Sequence, residues 1–304
     1  MNNKTHLVVK SNALIEASFN LSLVEQRLML LAIVEAREIN NLTSNTPIEI
    51  TSINYQKSFQ VDESNSYKQL TEASRQLFNR QFSYLDIYKG VDAVTISRWV
   101  KTITYVKTKG TVVLYLTDPV VSMISRLEAH FTKYMLEQVA TLKSQYSIRF
   151  YELFARYLAL GNSKKFEVAE LRKFLDIGEG EYKSIAYLKR DIVDKAVNEI
   201  NIKTDITVSY EQFKFGKTIT HLLFKIKKKP NEKLVQEDKP KKLTNKQLDM
   251  FAEKLSQNAN FQNHFQAEIG ITTEQYAQKI KEKLKDLNMV KEWLPYLNEL
   301  GYKG

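Results

Sequence analysis

Residues 183–229 read KSIAYLKRDIVDKAVNEINIKTDITVSYEQFKFGKTITHLLFKIKKK, and the order of signals within them decides the fold. At about 100° per residue, Ile185, Leu188, Ile192, Ala196 and Val197 converge on one face, which predicts a helix over Tyr182–Asn201. The opposite face presents Lys183, Ser184, Tyr187, Arg190, Asp191 and Asp194, with Lys189 nearer the buried side. Two strand-like runs follow, Ile206–Phe213 and Thr218–Lys227, with Lys214-Phe215-Gly216-Lys217 as the turn between them. A helix that leads into a long hairpin with a basic tip is the outline of a winged helix.

Working outward, Tyr146–Leu160 predicts a helix that stops at Gly161-Asn162. A short strand over Lys165–Val168 and a short helix over Ala169–Leu175 complete that unit. The N-terminal half carries the same order of signals. Leu21–Arg37 reads as a helix with Ser22 and Glu25 in capping-box spacing, and Leu28–Val34 makes it apolar nearly all round, so it is expected to be buried. A strand at Pro47–Thr51 and a helix from Ser64 or Ser66 to about Phe82 come next. Strands over Ser83–Tyr88, Ala93–Val106 and Thr111–Thr117 follow, the last two joined by Lys107-Thr108-Lys109-Gly110, and Asp118-Pro119 closes the unit. The stretch from there to Gln145 reads as helix-like connecting pieces. A shift of 115 residues pairs Tyr67 with Tyr182, Lys68 with Lys183, Leu70 with Ile185, Arg75 with Arg190 and Leu77 with Ile192. The same shift sets Leu85 on Ile200 and Ile87 on Ile202.

The expected class is therefore α+β: tandem winged-helix domains at residues 1–125 and 126–229, then a linker at 230–243 and a small helical C-terminal extension at 244–304. The linker is charged and proline-punctuated, from Lys227 to Lys242. In the extension, Asn245–Leu255, Thr273–Leu287 and Val290–Leu300 read as helices, with Trp293, Leu294, Tyr296 and Leu297 as core or docking face.

Charge points to a polyanionic partner. The 304 residues carry a formal net charge of +10, and Lys183–Lys229 alone holds 11 basic against 5 acidic residues. Neutralising phosphates releases counterions and supplies affinity of this kind. The longest apolar run, Leu28–Val34, is too short to span a bilayer, and no signal peptide opens the chain, so the expected location is cytoplasmic, away from membranes. The absence of cysteine excludes a disulfide framework, a thiolate metal site and a cysteine nucleophile. His6, His130, His221 and His264 are isolated, so the paired histidines of a rolling-circle nuclease are missing. Gly216-Lys217-Thr218 has Glu211 where a P-loop needs glycine, and it lies between strands. No catalytic residues, metal or cofactor are expected, and the chain reads as a binding protein without enzyme activity.

On the 182–201 helix, Arg190 suits a bidentate contact with guanine, Asp191 suits a cytosine amino group, and Tyr187 suits a phosphate or thymine methyl. Lys214, Lys217 and the lysines at 225 and 227–229 are placed along the hairpin to meet phosphates, which set register rather than sequence. In the first half, Lys68, Arg75 and Arg80 fall on the equivalent helix and Lys107 and Lys109 on its wing, for a second DNA segment or a protein-pairing surface.

Three long stretches then carry a resemblance. VVKSNALIEASFNLSLVEQRLMLLAI (residues 8–33) resembles the N-terminal signature of iteron-type plasmid replication initiators, the Rep proteins with two winged helices. SIRFYELFARY (147–157) resembles the opening helix of their second domain, and KRDIVDKAVNEINIKTDITVSYEQFKFGKTITHLLFKIKKK (189–229) their recognition helix and wing. The likeness covers about residues 7–229. The family's basic cluster falls on Lys189, Arg190 and Asp191, where many members have a third basic residue in place of Asp191. The wing pattern falls on Lys214, Gly216, Lys217, Thr218 and Thr220. The resemblance implies binding to direct repeats of double-stranded origin DNA, opening of an AT-rich region and recruitment of the host replication initiator and helicase machinery. It also implies a homodimer in equilibrium with the monomer, with the dimer repressing its own gene. The alternatives are a dimeric winged-helix repressor with no initiation role and a scaffold whose C-terminal helices recruit partners.

Overall fold

In a computed structural model the chain makes two compact units, residues 1–229 and 230–304. The structure describes residues 6–125, 127, 129–178, 180–230, 243–258, 261–262, 265, 267, 271–293, 296–297 and 300–302.

The first unit opens with β1 (Leu7–Ser11) and the short α1 (Asn12–Glu16). Next come α2 (Leu23–Arg37), β2 (Ile48–Thr51), α3 (Ser52–Phe59) and α4 (Glu63–Asn79). Four strands follow: β3 (Gln81–Tyr88), β4 (Val91–Arg98), β5 (Val100–Val106) and β6 (Thr111–Leu116). A connecting layer of α5 (Asp118–Ile124), β7 (Phe131–Met135) and α6 (Glu137–Ala140) leads to α7 (Gln145–Tyr157), β8 (Phe166–Glu167) and α8 (Val168–Phe174). A long helix then runs as α9 (Ile185–Leu188), a π-helical turn (Lys189–Val193) and α10 (Asp194–Lys203), before β9 (Ile206–Phe215) and β10 (Thr218–Lys228).

Two winged helices emerge from this order. The first is α2, β2, α3, α4, β5, β6, with antiparallel strand order β2-β6-β5. The second is α7, β8, α8, helix 185–203, β9, β10, with order β8-β10-β9. Their apolar residues belong to one continuous core. In α2 the Ser22 hydroxyl accepts from the Glu25 amide at 3.4 Å, and the Glu25 carboxylate accepts from the Ser22 amide at 2.6 Å. That reciprocal cap starts the helix. Every residue from Leu28 to Val34 is at most 3 % exposed, and each large side chain among them contributes roughly 1.5–3 kcal/mol of burial.

Several elements differ from the sequence reading. α4 ends at Asn79 and Phe82 belongs to β3, because a separate hairpin, β3–β4, is inserted between α4 and the wing β5–β6. Its turn, Lys89-Gly90, has both residues at positive φ, which matches the right-handed twist of a two-residue hairpin. The run Ala93–Val106 is therefore two strands parted at Trp99, which is 1 % exposed and packs edge-on to Phe19. The insertion also defeats the fixed 115-residue offset beyond Phe78: it lays Leu85 and Ile87, in a strand, on Ile200 and Ile202, in a helix. The stretch after Asp118 includes a strand as well as helices, since β7 pairs antiparallel with β1 along its whole length. The long helix starts at Ile185; Tyr182 stands at φ +44° outside it, and Ser184 is the N-cap. Lys227 and Lys228 lie in β10, so the chain leaves the sheet only after them.

The two winged helices meet around Arg149 of α7, which is 2 % exposed. Its guanidinium donates to the carbonyls of Ile15 (3.1 Å), Ala17 (2.6 Å) and Phe174 (3.1 Å). Its carbon lies 3.6 Å and 4.1 Å from the ring centroids of Phe19 and Phe174. Beside it, the Lys10 ammonium on β1 donates to Glu152 at 2.5 Å, the Glu152 carboxylate also accepts from the Tyr134 hydroxyl, and its other oxygen lies 3.8 Å from Arg149. Burial pulls the Lys10 pKa below its usual value and that of Arg149 down to about 10, with Glu152 opposing both shifts.

In the second unit the helices are Asn245–Ser256, Thr273–Lys283 and Leu287–Glu292, the first two opened by capping boxes at Thr244 and Thr272. Phe251, Leu255, Phe261, Ile280, Trp293 and Leu297 form its core. The predicted helices Thr273–Leu287 and Val290–Leu300 thus stop or start elsewhere, and Leu294 lies outside the described residues. The same is true of residues 231–242 of the expected linker.

Replacing Glu152 with leucine strands two buried cations. We expect Glu152→Leu to cost about 3–5 kcal/mol, read from urea unfolding. A loss under 1 kcal/mol would show that water reaches Lys10 and Arg149.

Candidate nucleic-acid interface

Helix 185–203 packs on α7 and β9 through Leu188, Ile192, Val193, Ala196 and Ile200, each at most 1 % exposed. The Ser184 hydroxyl caps it by accepting from the Ala186 amide at 3.2 Å. Its middle is wider than an α-helix: the Asp194 amide donates to the Lys189 carbonyl, an i→i+5 bond. Val193, which a 100° wheel places between Ala196 and Val197, belongs to that face as well, although the sequence reading did not name it. Lys183, Ser184, Tyr187 and Arg190 face solvent, as the sequence reading placed them.

The charged groups on this face are not independent. Arg190 donates from Nε to Asp191 Oδ1 at 3.0 Å and from Nη2 to Asp191 Oδ2 at 2.6 Å. Its guanidinium carbon lies 4.9 Å from the Tyr187 ring centroid, and Lys195 Nζ stands 3.3 Å from Asp191. The hydrogen bond from Arg190 holds the Asp191 carboxyl below the usual carboxylate range, and the same bond raises the Arg190 pKa. Asp191 thus has two cationic partners on its own helix. Lys189 is half-buried; its Nζ donates to Gln212 Oε1 of β9 at 2.7 Å and sits 5.5 Å from the Tyr210 ring, which ties the helix to the hairpin. Tyr210 in turn donates to Asp194, and burial followed by that carboxylate raises its pKa.

The hairpin β9–β10 has strands of ten and eleven residues, roughly 33 Å long. At its tip Phe215 pairs with Thr218 around Gly216-Lys217, and Lys214, Phe215, Lys217 and Thr218 are all exposed. Further down, Lys225 pairs with Glu211 at 2.5 Å. Lys229 donates to the carbonyls of Asn201 (2.6 Å) and Thr204 (2.7 Å), closing the C-terminal end of the helix. Of the lysines read as phosphate contacts, Lys225 and Lys229 therefore have partners within the fold, whereas Lys227 and Lys228 project to solvent.

In the first winged helix, Lys68 and Arg75 are exposed on α4, with Arg75 held to Glu72 at 2.7 Å, and Lys107 and Lys109 are exposed at the β5–β6 turn. Arg80 is different: its Nε donates at 2.9 Å to Glu25, the buried carboxylate that caps α2. Sequence reasoning gave no sign of this, because the two residues lie 55 positions apart. It also missed one face of the β3–β4 hairpin, where Leu85, Ile87, Val94 and Ile96 are each more than half exposed. Among the described residues no group of three His, Asp or Glu side chains is placed to hold a metal ion, and no helix is long and apolar enough to cross a membrane.

Comparison with known proteins matches residues 7–155 to the family model described as Initiator Replication protein, WH1, and residues 167–226 to Initiator Rep protein, WH2. The crystal structure of Pi initiator protein in complex with iteron DNA has a similar fold, with a TM-score of 0.60 and 24 % identity over 74 % of this chain and 98 % of that one. A 27.6 kDa uncharacterised protein from Escherichia coli is 25 % identical over 232 residues, 73 % of this chain and 96 % of its own length.

Gly216 stands at φ +58° with open space around its missing side chain, so only backbone strain opposes substitution. Gly216→Val is expected to cost about 1–2 kcal/mol, and Gly216→Asn clearly less. Thermal unfolding of the two variants, if equal, would show that the turn has rearranged.

Proposed function

Because the chain belongs to the initiator Rep proteins, whose WH1 and WH2 models its two winged helices match, we propose that it initiates plasmid replication by binding iterons, the direct repeats of an origin. The observation that carries this reading is the pairing of an exposed Lys183–Tyr187–Arg190 face with a long hairpin whose tip lysines, Lys214 and Lys217, have no partner among the described hydrogen bonds and ion pairs. A helix of this kind reads base edges in the major groove while the hairpin holds phosphates. The structure with a similar fold, Pi initiator protein, was solved with iteron DNA, which supports the same mode here. We assign the main reading of the repeat to residues 126–229 and divide residues 1–125 between DNA contact and self-association. The inserted β3–β4 hairpin supports the latter, since an apolar face of Leu85, Ile87, Val94 and Ile96 gains by pairing with a second copy. Repression of its own gene as a dimer and recruitment of the host initiator and helicase complete the proposal. No step of it needs a catalytic residue or a cofactor.

A gel-shift titration with the full chain tests the reading, using the repeats beside its gene against a scrambled duplex at physiological salt. We expect preference for the repeats by about a thousandfold or more; equal affinity would sink it. Arg190→Ala should weaken repeat binding by about 1–3 kcal/mol. Lys217→Ala should weaken binding to every duplex and lower the slope of log affinity against log salt by about 1. Ile87→Asp should shift sedimentation toward monomer without altering the affinity of monomer for one repeat.

A further inference from the structure

Asp191 directly follows Arg190 on the exposed side of helix 185–203, and the geometry around the pair gives the carboxylate a use. A guanidinium has two hydrogen-bonding edges: a side edge made by Nε and one Nη2 proton, and an end edge made by Nη1 and the other Nη2 proton. Both side-edge donors of Arg190 are on Asp191, at 3.0 Å and 2.6 Å. Tyr187 flanks the guanidinium at 4.9 Å, and Lys195 holds Asp191 from the next turn at 3.3 Å. Nη1 has no partner among the described residues, and the Arg190 side chain is 66 % exposed. Consecutive residues on an α-helix do not normally face each other. The π-helical turn spanning Lys189–Val193 contains both residues and narrows the angle between them.

We propose that Asp191 is a positioning residue: it fixes the side edge of Arg190 so that the end edge is presented as a ready fork for the N7 and O6 acceptors of one guanine. Resting on the reading of helix 185–203 as the element in the major groove, it assigns the carboxylate a specificity role without base contact of its own. Orientation is set before DNA arrives, so less side-chain freedom is lost on binding. The carboxylate also lowers the positive charge of the face, which weakens attachment to non-cognate DNA.

The test uses the full chain and duplexes recovered by its own selection from randomised DNA. Each guanine is replaced in turn by 7-deazaguanine, which lacks the N7 acceptor. Wild type should lose about tenfold in affinity at one guanine of the repeat. Arg190→Ala should be indifferent to that substitution. Asp191→Asn, nearly isosteric and with an unchanged unfolding midpoint, should keep less than about a third of the wild-type penalty there while binding scrambled duplex more tightly at low salt. If Arg190→Ala erases the guanine pattern and Asp191→Asn retains it in full, the positioning role is overturned and the helix assignment stands. If Arg190→Ala leaves the pattern intact, or no guanine is sensitive in wild type, the assignment of Arg190 as the reader falls and the proposal with it.

Discussion

The relation between the two winged helices rests on one buried cation. Arg149 belongs to the opening helix of the second copy, yet two of its three carbonyl partners, Ile15 and Ala17, lie in the N-terminal segment that leads into the first. The third, Phe174, ends α8, and the rings of Phe19 and Phe174 flank the guanidinium. A guanidinium taken out of water loses its hydration, and carbonyls, rings and the Glu152 carboxylate must replace that shell with good geometry. An apolar side chain in the same place would pack with less demand on direction. The arrangement therefore favours one mutual orientation of the two winged helices over its neighbours.

From that fixed frame the copies have diverged in what they expose. The second keeps bare lysines at the end of a long hairpin and an arginine oriented on its helix. The first uses Arg80 to complete the cap of α2 and gains a hairpin with an apolar outer face. One topology thus serves two surfaces of different chemistry, because strand order and core packing leave the outward positions unconstrained.

The sequence disclosed the topology more readily than the contacts. Helix spacing around Leu188 and Ile192 is strong because burial on one face enforces it, whereas Leu28–Val34 is buried on every side and shows as an unbroken apolar run. The β3–β4 insertion was hidden because a strand run broken only by buried Trp99 keeps its β-rich character on both sides. β1 and β7 were missed since each is short and gains its identity from a partner 120 or more residues away. Arg149, Glu152 and Arg156 fall three and four apart on α7, a spacing that reads as a solvated stripe, whereas the first two are buried. Of the candidate site, the exposed side of helix 185–203 and the hairpin tip were legible. The engagement of Arg190 by Asp191 was not, because it depends on a π-helical turn that no periodicity announces.

The pairing of β1 with β7 also has a kinetic side. Lys10 reaches its buried partner Glu152 across 142 residues of chain. At ordinary synthesis rates of 5–20 residues per second, roughly 7–28 s separate the appearance of these two residues at the ribosome. For most of that interval, until β7 (Phe131–Met135) has been made, the N-terminal strand has no partner strand, and contacts of such long range close slowly even when both ends are free. The nascent chain therefore completes its first winged helix before it can lock its own beginning, and the orientation set by Arg149 waits until Phe174 of the second has been made.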